Sequence, residues 1–177
     1  MVPTRARRPA PDSAGFTLIE LLTVVAIVGI LTAAMGPSMV QLAAGSRLDS
    51  AQTQFSAVLR LARSEAIKRA AVTVVEPVVA GDWGGRLRVY VDSDGNLLNA
   101  RTSGDPLVRE FPGPGSLKVL AGAPARFALD ARGRNVSIAA NPVPAETVLT
   151  VCARTLRRVL TVEPSGALVA TNQTGAC

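Results

Sequence analysis

The residues able to do chemistry in this chain are few and far apart. None of the 177 residues is a histidine. That excludes every nucleophilic triad and metal centre built on imidazole. Serine, lysine and aspartate are scattered without motif spacing, and Cys152 and Cys177 are not a Cys-x-x-Cys pair. The chain is therefore expected not to be an enzyme and to need no cofactor. Asp92, Asp94 and Asn96 are spaced like the start of a calcium loop. The further ligands and closing glutamate of that pattern are missing, so the expected meaning is a hairpin turn, and no metal site is assigned. What remains is a lone carboxylate, Glu20, in an apolar stretch, with a small residue, Gly15, just before that stretch.

From Phe16 to Met35 Glu20 is the sole charge. At ~1.5 Å rise per residue such a run is long enough for a helix crossing a hydrocarbon layer of ~30 Å. The expectation is a transmembrane half over 16–38. An acid inside such a span calls for a partner. Residues 1–15 are basic, rich in Pro and Ala, and read as a targeting segment. Its small-residue site precedes the apolar run, so cleavage after Gly15 leaves the helix on the mature chain. The Arg-rich flank orients the remainder outside. Phe16 would then carry a free α-amine, close enough in type and position to pair with the Glu20 of a neighbouring helix.

Gly36-Pro37 interrupts the run, and Pro37 predicts a bend rather than a stop. Beyond it, Leu42, Leu48, Ala51, Phe55, Val58, Leu59, Ala62, Ala66 and Ile67 recur at spacings of mostly three and four. This is the apolar stripe of an amphipathic helix. After residue 72 the period changes. Short alternating or β-branched runs at 72–79, 86–91, 97–98, 107–111, 117–120, 126–129, 136–139, 147–152, 157–162 and 168–170 are separated by Gly, Pro, Asn or Asp. The predicted fold is α+β: a long N-terminal helix over 16–71 packed on a C-terminal antiparallel β-sheet domain over 72–177.

The net charge is +6. Loss of residues 1–15 removes Arg5, Arg7, Arg8 and Asp12 and leaves about +4, a mild balance. Arg132, Arg134, Arg154, Arg157 and Arg158 are candidates for a weak polyanion patch, against the plainer reading of a solvated surface. If the domain lies outside the cytoplasm, Cys152 and Cys177 favour a disulfide. It would close a loop of about 25 residues, worth roughly 3 kcal/mol.

The stretch Gly15-Phe16-Thr17-Leu18-Ile19-Glu20-Leu21-Leu22 resembles the class III signal of type IV pilins and type II secretion pseudopilins. The resemblance implies cleavage after Gly15 by a prepilin peptidase, N-methylation of Phe16, and a role for Glu20 in subunit docking; residues 1–15 become a prepilin leader. Pro37 matches a proline common in that family. Trp83, the strand Leu87–Val91, the turn Asp92-Ser93-Asp94-Gly95, the segment Arg126–Gly133, and Cys152 with Cys177 are similar to minor subunits of the GspH/FimT/FimU kind.

A pilin-like minor subunit that helps initiate or cap a type II secretion pseudopilus or a type IV pilus is the implied function. Implied partners are the prepilin peptidase, other major and minor pilins or pseudopilins, an inner-membrane assembly platform and membrane lipid. The implied location is the inner membrane, single-pass, with a periplasmic domain that enters the filament. The alternative is a DNA-binding minor pilin of natural transformation. That branch carries Gly-Arg-x-Arg where this chain has Gly166-Ala167-Leu168-Val169.

Overall fold

The computed structural model describes residues 16–115, 117–119, 122–175 and 177, with the side chains of 34–38 also left outside the description. The chain divides into two units, Met1–Val40 and Gln41–Cys177. Helix α1 is assigned over Leu18–Arg69, slightly shorter at both ends than the sequence predicts.

In the first unit the apolar side chains lie open: Phe16 is 80% exposed, Leu18 77% and Ile30 71%. Among the described residues no helix is long and apolar enough to cross a membrane. This corrects the transmembrane half expected over 16–38, and with it the single-pass inner-membrane placement with a periplasmic domain. Glu20 interrupts the apolar run near its start. An acidic side chain there breaks the continuous apolar surface that a hydrocarbon layer of ~30 Å requires.

In the second unit α1 presents one buried stripe, Ala44, Leu48, Ala51, Phe55, Val58, Leu59, Ala62 and Ala66. Leu42 and Ile67, expected on that stripe, are 70% and 51% exposed. At ~100° per residue Leu42 sits far round the helix from Ala44, and Ile67 a quarter-turn from Ala66. The helix ends with Lys68 and Arg69 in its last turn, favourable to its dipole. Ala70 follows in the left-handed region at φ 50°, and the Ala71 amide donates to the Ala66 carbonyl at 3.2 Å to close the end.

Among the described residues nine strands follow, in chain order β1 Thr73–Pro77, β2 Leu87–Val91, β3 Leu107–Phe111, β4 Lys118–Val119, β5 Phe127–Leu129, β6 Asn135–Val136, β7 Thr147–Ala153, β8 Leu156–Val162 and β9 Leu168–Thr174. Where one sheet was expected, two form: β3-β2-β1-β5-β6 and β4-β7-β8-β9. Every pairing is antiparallel. Leu97–Leu98, expected as a strand, lies in a turn.

The α1 stripe shares one core with Val75, Leu87, Val89, Phe127 and Leu129 of the first sheet and Leu149, Val151, Leu160 and Val162 of the second. Trp83 sits wholly buried in that core, stacked on Phe127 with ring centroids 5.8 Å apart, and it donates its indole N–H to the Pro124 carbonyl at 2.7 Å. The other face of the first sheet is also covered. Val74, Tyr90, Ala128 and Val136 pack there with Leu97 from the β2–β3 connection.

Candidate functional site

Gly15 lies outside the described residues, and Phe16 is the first one described. Thr17 caps α1: its Oγ1 accepts from the Glu20 amide at 3.3 Å. Thr17-Leu18-Ile19-Glu20 has the Thr-x-x-Glu spacing of a capping box, and Glu20 sits in the first turn, where the helix dipole favours a negative charge. Glu20 is exposed, as are its apolar neighbours. The acid that sequence reading reserved for docking therefore also helps to start its own helix. Pro37 falls within the span of α1, with its side chain outside the description.

Cys152, buried in β7, is bonded to Cys177, with Cα atoms 5.9 Å apart. The tail after β9 reaches across the β7–β8 hairpin to do so, and Lys118 Nζ of β4 donates to the Cys177 carbonyl at 3.3 Å.

The five arginines expected to form a polyanion patch are not brought together. Arg132 and Arg134 lie in the β5–β6 turn, where Arg134 is tied to Asp130 at 2.7 Å. That turn touches Gly166, in the connection after Val162. Arg154 sits in the β7–β8 turn at the opposite end of β8, roughly 20 Å away at ~3.3 Å per strand residue. Arg157 and Arg158 belong to β8 near that far end. Arg158 bridges the sheet to the helix, donating to Asp49 at 2.7 Å, Gln52 at 2.9 Å and Asn172 at 2.8 Å.

The carboxylates that do converge are Asp92, Asp94 and Asp105, within 4.8 Å of one another. Asp105 replaces the Asn96 of the sequence triad. Its two oxygens accept from the amides and hydroxyls of Ser93 and Thr102 at 2.8–3.1 Å. Burial raises its pKa, but these hydrogen bonds outweigh it and hold the carboxyl below the ordinary range. Burial, then the hydrogen bond its protonated form gives to Asp94, pushes Asp92 up. Asp94 accepts from the Asn96 amide at 2.9 Å. This is the clasp of a connection, with Asp105 already saturated by protein donors.

A second buried charge group lies on the outer face of the first sheet. Glu76 accepts from Arg88 Nε at 2.8 Å and lies 3.2 Å from Arg126 Nε. The Arg126 contact is an ion pair off hydrogen-bond alignment. Tyr90 Oη donates to Glu76 at 3.3 Å, and burial, then the Glu76 charge, raises the Tyr90 pKa.

Sequence reading gave no sign of a cleft beside α1, lined by Ser56, Leu59, Arg60, Arg63, Gly166, Ala167 and Leu168. Helix and strands were legible separately, but their juxtaposition was not.

A long apolar-led helix and a stripe buried over antiparallel sheets are the architecture of a structural subunit of the pilin and pseudopilin superfamily. The chain belongs to the family described as type II transport protein GspH, whose profile matches residues 51–166. The prokaryotic N-terminal methylation motif matches residues 11–36. The type IV major pilin protein PilA of Myxococcus xanthus (strain DK1622) is 42% identical over 60 residues, 34% of this chain. The match spans 27% of that relative's length. Crystal structures of the type IV minor pilin FimU of Pseudomonas aeruginosa (strain PAO1), in two crystal forms, share the fold with TM-scores of 0.53 and 0.51 at 23% identity. They cover 71% and 70% of this chain and 89% and 91% of FimU.

Proposed function

We propose that the chain enters a type II secretion pseudopilus or a type IV pilus through its N-terminal helical segment, and that it acts where the fibre starts or ends. The observation that carries this reading is the apolar run from Phe16 to Leu31, exposed all round in a chain whose second unit is a folded family domain. A helix apolar on every side is stable in water only when something covers it. The same segment of neighbouring pilin-type subunits offers a surface of matching length and character.

On this reading a prepilin peptidase cuts after Gly15 and methylates the Phe16 amine. That amine meets the Glu20 carboxylate of an adjacent subunit, which fixes axial register. Major and minor pilins or pseudopilins and an assembly platform are the implied partners. DNA capture has less behind it, because the candidate arginines are dispersed and two of them are engaged by Asp130 and Asp49.

Quantitative mass spectrometry of sheared filaments tests the proposal, with Glu20→Ala and Glu20→Gln compared. Glutamine suits the same capping-box position and removes the charge. Both variants are expected to be poorly recovered in filaments, and the chain in filaments to begin at a methylated Phe16. Recovery of Glu20→Gln equal to wild type defeats the charge pairing. Absence of the wild-type chain from filaments defeats the filament role.

A further inference from the structure

We infer that the cleft between α1 and the β8–β9 turn is a docking socket for an acidic side chain of a neighbouring filament subunit, with Arg60 and Arg63 as its receptors. The inference rests on the filament reading above. The cleft has a volume of about 250 Å³, room for one side chain.

Among the described residues neither arginine has a carboxylate partner, a state shared with Arg47, Arg101, Arg109, Arg132 and Arg154, none of which lines the cleft, whereas Arg69, Arg86, Arg88, Arg126, Arg134 and Arg158 each have one. Arg60 and Arg63 are three apart and so adjacent on one helix face, where two like charges repel unless an anion lies between them. Glu163, in the adjoining turn, is approached by Ser165 Oγ at 3.3 Å and makes no ion pair with either, among the described residues.

Arg63 is exposed, and its stem rests against a neighbouring turn. It lies against Gly133, so close that a Cβ there would be 2.8 Å from its Cγ and 2.9 Å from its Nε. Gly133 (φ 75°) and Gly166 (φ 79°) close the two turns beneath it, and a Cβ on Gly166 would overlap the Gly133 carbonyl oxygen. A guanidinium whose stem already rests on a turn loses less freedom when it grips a carboxylate with two parallel hydrogen bonds. Ser56 adds a hydroxyl to the lining. Among the described residues no aromatic side chain lines the cleft, so bases of a single strand have nothing there to stack on, and a carboxylate is the better-fitting occupant.

The test uses the full-length chain in cells that assemble the filament. The double variant R60E/R63E should be recovered in sheared filaments about tenfold less than wild type, the range expected for losing a close charge pair at an interface. Its thermal unfolding should match wild type. If it melts early, Arg60→Gln, away from the Gly133 contact, takes its place. A photo-crosslinking amino acid replacing Ser56 should capture a peptide carrying Asp or Glu from another subunit, and reversing that acid to Lys should rescue R60E/R63E.

Recovery of R60E/R63E equal to wild type overturns the socket alone. So does a crosslinked peptide lacking an acid. So does a labelled single-stranded oligonucleotide that binds wild type but not R60E/R63E, which would make phosphate the occupant. A wild-type chain missing from filaments overturns the filament reading and the socket with it.

Discussion

Asn135 donates its Nδ2 amide to the Val162 carbonyl at 3.0 Å, a polar link from β6 of one sheet to β8 of the other. The same amide reaches the Ala145 carbonyl at 2.7 Å and Thr147 Oγ1 at 3.0 Å, and Asn135 is fully buried. Two amide protons are shared among three acceptors, so the two sheets are held by directed bonds as well as by apolar contact. Asn135→Ala strands those acceptors away from water. It should cost about 2 kcal/mol of unfolding free energy, read as a lower urea midpoint with an unchanged m-value.

Glu76 is the hub of the outer-face charge group, with Arg88 and Arg126 on its two oxygens. Glu76→Ala leaves two partly buried guanidiniums unopposed beside Tyr90 and should destabilise the domain by about 3 kcal/mol. Glu76→Gln, which still accepts hydrogen bonds, should cost less. Equal costs in calorimetry would mean that side-chain packing dominates over charge.

Acid should unfasten the 93–105 connection. The Asp105 pKa is depressed in the folded state. Its contribution is therefore present above the unfolded carboxylate value of ~3.9 and fades as pH falls through the lower folded value. Asp130, depressed by bonds from Arg134 and Arg132 that overcome its burial, acts in the same direction. Asp105→Asn should lower the melting temperature at pH 7 and flatten its decline between pH 5 and pH 2. A variant whose acid decline parallels wild type would remove Asp105 from the account.

Cys177→Ser opens a ring of sequence separation 25. The oxidised protein should lose roughly 3 kcal/mol, and wild type in reductant should fall to the level of the variant. A melt indifferent to reductant would show that Lys118 and the β8–β9 ladder hold the tail unaided.

Periodicity carried much of the fold into view. The alternation at Leu87, Val89 and Val91 marks β2, and the three-and-four spacing from Leu48 to Ala66 marks the buried helix stripe. Contacts between distant segments were hidden. The alternation that buries Val89 also predicts Tyr90 on a wet face, yet Tyr90 is 2% exposed because Leu97 folds over it. Trp83 stands in a Gly-rich turn, and nothing local says that this turn dips into the core. At the site, Glu20 was legible as a charge out of place in an apolar run. Arg60 and Arg63 were not, because a solvated helix face and a cleft wall have the same local sequence; what separates them is the pair of glycine turns brought in from positions 133 and 166.

The burial of Trp83 has a practical consequence. It is the chain's single tryptophan and lies entirely within the shared core. Intrinsic emission excited at the indole band therefore reports on the folded domain and carries no fluorophore in the Phe16–Val40 stretch. A red shift on unfolding follows the opening of the helix–sheet core without any label. Binding events confined to the N-terminal run should leave the spectrum silent, which provides an optical means of telling loss of assembly from loss of fold.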